Sequence, residues 1–478
     1  MPEQSQDFQA GFSYPKAWGE KPSKETPTVV SPGDMTTTLH LEGKSRLGFL
    51  KKLLPILLIL IVVLAAGYAI YKFGLPRLRG VKEVTLNYWG LWEPDEVMKE
   101  VLAEWEKEHP KIKINYTRQS HREYRERLQS ALARNEGPDL FRFHIAWLPM
   151  FKNELEPVPA SVMSASQFES LYYPVMTTNL RSGGDYLGIP LEVDSLTLFY
   201  NQEIFQAAGK LPPASWDELR KLAIELTTRD ETGKIQTAGV ALGTTGNVEH
   251  WPDILGLMMI QNGANLANPT GNLARDALVF YTIFNKTDRV WDETLPNSTL
   301  AFATGKVAMY FGFSWDVFEI KAINPNLDFR VVSAPQLPGT DTAWASFWVE
   351  GVAKKSGLKE EAWEFLKFLS SPEITEKLYQ AESKVRLFGE PYARVDMASR
   401  LKSDPMVAPF INQAPKAETW YLCSRTWDNG LNDRMIKYFE DAVNAVNADT
   451  DPDEALQTAA SGVSQLLSQY GVATAVTR

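Results

Sequence analysis

One uncharged, apolar segment near the front of the chain has the length of a membrane-spanning helix. Residues 53–71 read LLPILLILIVVLAAGYAIY and contain no Asp, Glu, Lys or Arg. A helix of this length rises about 1.5 Å per residue and spans roughly 28 Å, the thickness of a bilayer core. An apolar helix without a polar face is unusual in a soluble protein. The segment predicts a single transmembrane helix over residues 49–72, preceded by a disordered tail over residues 1–48 that is rich in Pro, Ser, Thr and Gly.

A cleaved signal peptide is the alternative to a retained helix. The segment begins at residue 53 and is longer than the usual apolar region of a signal peptide. Leu64, Ala65 and Ala66 resemble the box before a lipidated cysteine, but Gly67 stands where that cysteine would be. A lipid anchor is therefore excluded, and we expect the helix itself to hold the protein. Basic residues flank the segment on both sides, so the charges leave its orientation open.

The charge is distributed unevenly along the chain. Residues 1–82 hold 11 Lys or Arg and 6 Asp or Glu, whereas residues 83–478 hold 38 and 53. A part this acidic is repelled by phosphate backbones, which argues against nucleic-acid binding. An uncharged or cationic ligand fits the acidic part better.

Cysteine and histidine are too sparse for a disulfide framework or a conventional metal site. Cys423 is the only cysteine, so neither an intramolecular disulfide nor a cysteine-based zinc site can form within the chain. We expect Cys423 to be a small buried side chain. The five histidines show no metal-ligand spacing such as HExxH. The sequence therefore predicts no metal site and no cofactor.

The acidic part alternates strand and helix patterns. VTLNYW, from residue 84, is typical of a buried strand, and Pro94 then opens a helix with its apolar side chains on one face. IKINY, a second amphipathic helix and DLFRF continue the alternation. Further along, Ser215 and Glu218 form a capping box before WDELRKLAIEL. This order predicts an α/β fold with a parallel sheet, in which ligands bind at the carboxyl ends of the strands.

Many tryptophans lie in predicted loops next to acidic residues. Thirteen of the 14 tryptophans lie beyond residue 83, and several neighbour an acid, as Trp92 neighbours Glu93 and Trp315 neighbours Asp316. Sugars present flat C–H faces that stack on aromatic rings and hydroxyls that hydrogen-bond to carboxylates. The pattern therefore predicts a carbohydrate site. Tryptophans on helix faces are instead expected to pack in cores: Trp105, Trp216 and Trp363.

Residues 83 to about 470 resemble the extracellular solute-binding proteins of the sugar type, the family that includes maltose-binding protein. The matching segments, in order, are VTLNYWGLWE, EWEKEHPKIKINY, YRERLQSALARNEGPDLF, YLGIPLEVDSLTLFYNQEIF, SWDELRKLA, AFATGKVAMYFG and EEAWEFLKFLSSPEITEKL. The resemblance implies a periplasmic-binding-protein-like α/β fold of type II, with two α/β lobes joined by a hinge and the ligand between them. It implies lobe one over residues 83–192 and about 346–385, and lobe two over residues 193–345 and about 386–470.

The resemblance also implies roles for individual residues. Asp194 matches the acid of a hinge-strand motif that contacts sugar hydroxyls, within GIPLEVDSLTLFYN. Trp315 matches an aromatic residue after GKVAM that stacks on a sugar ring. The other predicted ligand-binding residues come from the end of the first strand, one loop of each lobe and the second hinge crossing: Trp92, His144, Trp147, His250, Trp251, Trp348 and Glu350.

The function expected from the resemblance is capture of a carbohydrate, such as an oligosaccharide, by a monomeric extracytoplasmic receptor. The receptor would be anchored in the lipid bilayer through residues 53–71 and would deliver its ligand to the permease subunits of an ABC importer. No pair of carboxylates is marked as catalytic, so an enzyme is not expected. Three alternatives remain open: a receptor for a non-sugar solute such as a polyamine, a sensory ectodomain and, more remotely, a polysaccharide-active enzyme.

Overall fold

The computed structural model describes residues 60–64 and 83–472. The chain divides into two units, Met1–Gly80 and Val81–Arg478. In the first unit, residues 60–64 are helical, and their apolar side chains are each between 55% and 64% exposed. Among the described residues, no helix has the length and apolar character needed to cross a bilayer. The predicted tail and most of the predicted transmembrane helix lie outside the described residues.

The second unit alternates strands and helices as the sequence predicts. Its strands are β1 Val84–Gly90, β2 Ile112–Arg118, β3 Leu140–His144, β4 Arg181–Ser182, β5 Asp185–Tyr186, β6 Asp194–Ser195, β7 Thr197–Asn201, β8 Thr228–Arg229, β9 Ile235–Val240, β10 Val307–Gly312, β11 Phe329–Ser333, β12 Ala343–Ser346, β13 Trp348–Val352 and β14 Ala417–Glu418.

The helices of the second unit are α1 Asp95–Glu108, α2 Tyr124–Ala133, α3 Leu148–Phe151, α4 Ala165–Leu171, α5 Pro174–Asn179, α6 Gln202–Ala208, α7 Trp216–Leu226, α8 Trp251–Gln261, α9 Asn272–Lys286, α10 Ser298–Ala303, α11 Ser314–Ile323, α12 Lys359–Leu369, α13 Pro372–Glu382, α14 Ala408–Gln413, α15 Leu431–Asn447 and α16 Pro452–Gln469. Short 3-10 turns occupy Ile145–Trp147, Val395–Arg400 and Ala414–Lys416.

A four-stranded sheet has the order β13-β3-β1-β2. Strand β1 pairs in parallel with β2 and β3, which confirms the parallel arrangement predicted from the strand and helix order. Strand β13 returns much later in the chain and pairs antiparallel to β3. The apolar face of α1 buries Val97, Val101 and Trp105, and the Trp105 ring packs edge-to-face on Phe365 of α12. These contacts form the core beneath this sheet.

A five-stranded sheet has the order β11-β7-β10-β9-β8. All six residues of β10 are buried, so this strand lies at the centre of its own core. The predicted capping box is confirmed at the start of α7, where Ser215 and Glu218 each bond the other's backbone. The buried Trp216 indole donates to Gln261 of α8 at 2.6 Å. The expected packing roles of the helix-face tryptophans are confirmed by burial: Trp105, Trp216 and Trp363.

A small sheet of order β14-β12-β6 contains the segments through which the chain passes from one larger sheet to the other. Leu196 alone separates β6 from β7 of the five-stranded sheet. Phe347 alone separates β12 from β13 of the four-stranded sheet. Because β6 and β12 are antiparallel neighbours, the two segments that lead into the larger sheets lie next to each other.

Candidate functional site

A cavity of about 490 Å³ opens where these connections meet several loops. This volume is within the range of about 300–1,000 Å³ found for small-ligand sites. Its walls come from the loop after β1, the end of β3, β6, α11, the join of β12 and β13, and the loops after α13 and before α15. The residues that line it are Trp92, His144, Glu192, Asp194, Trp315, Phe318, Glu319, Ser346, Phe347, Trp348, Arg386, Glu390, Ser424, Arg425 and Trp427.

Three tryptophans from distant parts of the chain form one aromatic wall of the cavity. The Trp92 and Trp348 rings meet edge-to-face with centroids 5.4 Å apart, and Trp427 lies 6.3 Å from Trp92. The His121 ring supports Trp427 at 4.4 Å. Trp427 keeps 37% of its surface exposed. Exposed indole surface of this kind can stack on the apolar face of a ligand.

A second aromatic wall is built on the first turns of α11. Trp315 stacks on Phe313 with centroids 4.5 Å apart and an interplanar angle of 15°. The Arg386 guanidinium lies over the Phe318 ring, 4.9 Å from its centroid. The Trp315 indole nitrogen is buried and has no hydrogen-bond partner within residues 60–64 and 83–472. This N–H group is therefore an unpaired donor next to the cavity.

Asp194 connects β6 to the start of α11. Its Oδ1 accepts from the Ser195 backbone at 2.7 Å, and its Oδ2 accepts from both the backbone N–H, at 2.9 Å, and the hydroxyl of Ser314. Burial and the negative charge of Glu390 raise the pKa of Asp194 well above its ordinary value, and the three hydrogen bonds oppose that rise. The carboxyl group thus fixes the position of the second aromatic wall as well as lining the cavity.

His144 and Ser346 form a hydrogen-bonded pair on the cavity wall. The His144 Nε2 and Ser346 Oγ atoms are 3.0 Å apart, and His144 Nδ1 accepts from the Ala146 backbone at 3.2 Å. Burial lowers the pKa of His144 to about 3, so the ring is neutral at physiological pH. The His144 ring also meets Trp348 edge-to-face at 5.0 Å.

A comparable pair, His250 and Ser424, lies behind another part of the wall. His250 Nδ1 is 2.7 Å from Ser424 Oγ, and His250 Nε2 is 2.8 Å from Asp316 Oδ2. Burial alone would lower the pKa of His250, but the Asp316 carboxylate outweighs it and raises this pKa. The same pairing lowers the pKa of Asp316 against the effect of its burial. His250 therefore positions Ser424 instead of reaching the cavity itself.

A buried arginine holds several carboxylates together beneath the cavity. Arg142 lies 2.6 Å from both Glu93 and Glu350, and 3.4 Å from Glu192. Burial would lower the pKa of Arg142, but the surrounding carboxylates raise it well above its ordinary value. Burial raises the pKa of Glu192 and of Glu350. A buried charge needs partners of this kind, so the cluster fixes the floor of the cavity.

A loop in an unfavourable backbone conformation carries Arg425 and Trp427 into the cavity. The φ angles of Arg425, Trp427 and Asn429 are 57°, 48° and 46°, in the left-handed region. Such a conformation costs about 1–2 kcal/mol for a residue other than glycine. Arg125 compensates by donating to the Asp428 carbonyl at 2.5 Å. Strain maintained in this way is typical of binding sites.

Five of the nine predicted ligand-binding residues line the cavity: Trp92, His144, Asp194, Trp315 and Trp348. The other four lie behind its walls. Trp147 is fully buried and packs edge-to-face on Trp348 at 5.2 Å, while Glu350 is bound to Arg142. His250 and Trp251 were predicted in a loop, but Trp251 begins α8 and both side chains are buried. The reason is that WPDILGLMMIQ is apolar on all sides, which favours a buried helix.

Other cavity residues are not anticipated by the sequence analysis: Glu192, Phe318, Glu319, Ser346, Phe347, Arg386, Glu390, Ser424, Arg425 and Trp427. Trp427 could have been found, because it stands next to Asp428 in the turn-rich segment CSRTWDNG and meets the criterion applied to the other tryptophans. Arg386 and Glu390 carry no comparable local signal. Cys423 is buried, as expected.

The arrangement suits ligand binding. Aromatic rings, hydroxyls, carboxyl groups and guanidinium groups converge on one cavity of small-molecule size. Across the part of the chain that the structure describes, no group of three or more His, Cys, Asp or Glu side chains is placed to hold a metal ion.

Two bacterial binding proteins are similar to this chain in sequence. The multiple sugar-binding protein of Streptococcus mutans is 22% identical over 322 residues, covering 63% of this chain and 74% of that protein. The diacetylchitobiose binding protein of Streptomyces coelicolor is 21% identical over 319 residues, covering 63% and 72%.

Solved structures share the fold. A sugar-binding protein from Xanthomonas citri matches with a TM-score of 0.67 and 20% identity, covering 81% of this chain and 98% of that one. An ABC transporter solute-binding protein from Thermotoga lettingae, bound with α-D-tagatose, matches with a TM-score of 0.63 and 23% identity, covering 80% and 99%. The predicted periplasmic-binding-protein-like α/β fold is thereby confirmed.

The family model of the bacterial extracellular solute-binding proteins matches residues 90–376, which is more than half of the chain. The match runs from the last residue of β1 into α13, and so includes the whole five-stranded sheet and the other three strands of the four-stranded sheet. The family predicted from the sequence is confirmed: the chain belongs to the bacterial extracellular solute-binding proteins.

Proposed function

We propose that the cavity captures a carbohydrate and that the protein is the receptor of an ABC importer. The observation that carries the proposal is the lining of the cavity, where four tryptophans stand among four acidic side chains: Trp92, Trp315, Trp348 and Trp427 with Glu192, Asp194, Glu319 and Glu390. Indole rings stack on the C–H faces of sugars, and carboxyl groups and serines bond to their hydroxyls. The names of the two relatives given above, a multiple sugar-binding protein and a diacetylchitobiose binding protein, support this ligand class.

Capture would occur by closure of two lobes around the ligand, without a chemical reaction. The proposed lobes are residues 83–192 with about 346–385, and residues 193–345 with about 386–470. The four-stranded sheet falls in the first set and the five-stranded sheet in the second, which supports this division. The small sheet of β6, β12 and β14 is the proposed hinge. A ligand that contacts both lobes favours the closed state because only that state makes both sets of contacts.

The receptor is proposed to be a monomer held at the extracytoplasmic face of the cell membrane by residues 53–71. The uniformly exposed apolar side chains of residues 60–64 support a lipid-facing segment. Anchoring keeps the receptor close to the permease subunits that accept its ligand, which raises their effective concentration.

A polyamine is the second candidate ligand. Four carboxylic side chains but only two guanidinium groups line the cavity. Aromatic rings combined with an excess of carboxyl groups also suit a protonated amine.

Thermal shift of the full-length protein would test the proposal. The protein would be kept in a detergent without a sugar headgroup and screened against malto-, cello- and chito-oligosaccharides, spermidine and amino acids. A ligand that binds only the native state raises the melting temperature. We expect a saturable rise with at least one carbohydrate, and we expect mass spectrometry to recover that carbohydrate unchanged. A rise with spermidine alone would favour the second candidate, and no rise with any carbohydrate would contradict the proposal.

A further inference from the structure

We infer that the cavity recognises an acetamido group, the amide carried by an N-acetylated amino sugar, and that Ser346 donates a hydrogen bond to its carbonyl oxygen. The inference rests on the proposed function, since it assumes a carbohydrate ligand. It follows from the direction in which the hydrogen atoms of the cavity wall point.

His144 fixes the direction of the Ser346 hydroxyl. Its Nδ1 accepts from the Ala146 N–H at 3.2 Å, so the single proton of the neutral ring is on Nε2. Nε2–H then donates to Ser346 Oγ at 3.0 Å. Because the serine oxygen accepts this bond, its own proton must point to another acceptor.

No strong acceptor near Ser346 takes that proton, so the proton can point into the cavity. Asp194 lies directly opposite Ser346 in the pairing of β12 and β6, but its two oxygens already accept three hydrogen bonds. The sulfur of Cys423 is close to Ser346, but a thiol sulfur is a weak acceptor. Ser346 lines the cavity, so a bound ligand can offer a better acceptor.

One further group adds to this donor character. The Trp315 indole N–H is buried without a partner among the described residues, and an unpaired buried donor is unfavourable until a ligand accepts from it. The Ser424 hydroxyl is already engaged between His250 and Asp253 and does not add to the donor character.

The other acidic side chains of the lining each have an arginine partner. Glu390 is 2.7 Å from Arg386, and Glu319 is 2.9 Å from Arg425. Glu192 lies 3.4 Å from Arg142. These carboxylates keep some accepting capacity, whereas the Ser346 proton and the Trp315 N–H have no strong partner among the described residues.

The unpaired donors at Ser346 and Trp315 favour some ligand groups over others. A sugar hydroxyl can turn its own proton to a carboxylate, whereas a carbonyl oxygen can only accept and therefore suits these two donors. An anionic acceptor would be repelled by the four acidic side chains of the lining. A neutral amide carbonyl remains, and the methyl group of an acetamido substituent can pack against the tryptophans.

A matched pair of disaccharides would test the inference. Cellobiose and N,N′-diacetylchitobiose share one skeleton and differ only at position 2 of each ring, which carries a hydroxyl or an acetamido group. Calorimetric titration of the full-length protein would give both affinities. We expect diacetylchitobiose to bind about tenfold more tightly than cellobiose, and Ser346→Ala to remove most of this ratio.

Two further variants separate recognition from misfolding. Ser333→Ala changes an exposed serine at the end of β11 and is expected to leave the ratio intact. His144→Gln retains a side-chain N–H donor and is expected to preserve most of the ratio. An unchanged ratio in Ser346→Ala would overturn the inference, as would a preference for cellobiose or binding of other carbohydrates but neither disaccharide. Failure of every carbohydrate to bind would instead remove the proposed function on which the inference rests.

Discussion

Ser346 and Asp194 are cross-strand partners in the antiparallel pairing of β12 with β6. Both side chains line the cavity, and each strand is one residue away from a different large sheet. If one large sheet rotated relative to the other, the backbone would bend close to this pair. Ligand contacts made here are therefore close to the proposed hinge, which would link binding to closure.

Replacing Trp315 should weaken ligand binding without unfolding the protein. Trp315→Ala removes an aromatic surface that lines the cavity, and we expect a loss of about 1–3 kcal/mol in the free energy of binding. Calorimetric titration with the carbohydrate that gives the largest thermal shift would measure the loss. Trp420→Ala is the matched control, because Trp420 lines a different cavity of about 320 Å³. Equal losses in the two variants would argue against a ligand contact by Trp315.

Replacing Asp194 should affect stability as well as binding. An asparagine has one side-chain oxygen, so it cannot accept at both positions used by the carboxyl group. In Asp194→Asn, the side-chain amide N–H would therefore face the backbone N–H of Ser195 or Ser314, and one of these donors would lose its acceptor. We expect the free energy of unfolding to fall by about 1–3 kcal/mol. Urea denaturation would measure the change, with Asp441→Asn as an exposed control. Stability equal to that of the control would show that the Ser314 contact contributes little.

The free energy of unfolding should fall as the pH rises from about 4.5 to about 7. Burial raises the pKa of Glu382 from 4.5 to about 7. In this pH window the folded protein therefore binds more protons than the unfolded chain, which makes stability highest below the window. Glu382 can contribute a slope of up to about 1.4 kcal/mol per pH unit. Denaturation at several pH values should show this slope, and Glu382→Gln should reduce it. A slope unchanged in the variant would exclude Glu382 as its source.

Charged substitutions in residues 60–64 should release the protein from the membrane fraction. Val62→Asp together with Leu64→Asp places two carboxylates in the apolar segment, at a cost of about 2.5–3.5 kcal/mol for each at the centre of a bilayer. Alkaline carbonate extraction would measure the release. Leu387→Asp is the control, because Leu387 is an exposed apolar residue of the second unit. Wild-type protein that is already extracted by carbonate would contradict the anchor.

Local patterns predicted those parts of the fold that depend on neighbouring residues. The strand at Val84–Gly90, the helix opened by Pro94 and the capping box at Ser215 are all confirmed. Each depends on periodicity or on a cap within a few residues. The antiparallel return of β13 to β3 joins residues about 200 positions apart, and no local pattern indicates it.

The candidate site depends more strongly on tertiary contacts. Trp147 and His144 come from one predicted loop, yet the 3-10 turn at Ile145–Trp147 leaves His144 in the cavity and Trp147 behind it. Arg142 carries a signal for the buried cluster of carboxylates. It stands in the mostly apolar run DLFRF, and a buried arginine requires acidic partners. The same reasoning fits Asp194, which stands in the apolar run GIPLEVDSLTLFYN and is paired with Ser314.

A crystal structure with the carbohydrate that gives the largest thermal shift would show whether the ligand binds in the cavity. We expect one sugar ring stacked on Trp315 and a ligand oxygen within hydrogen-bonding distance of Ser346 Oγ, between the two aromatic walls. A ligand bound elsewhere on the protein, with the cavity free of sugar, would contradict this expectation.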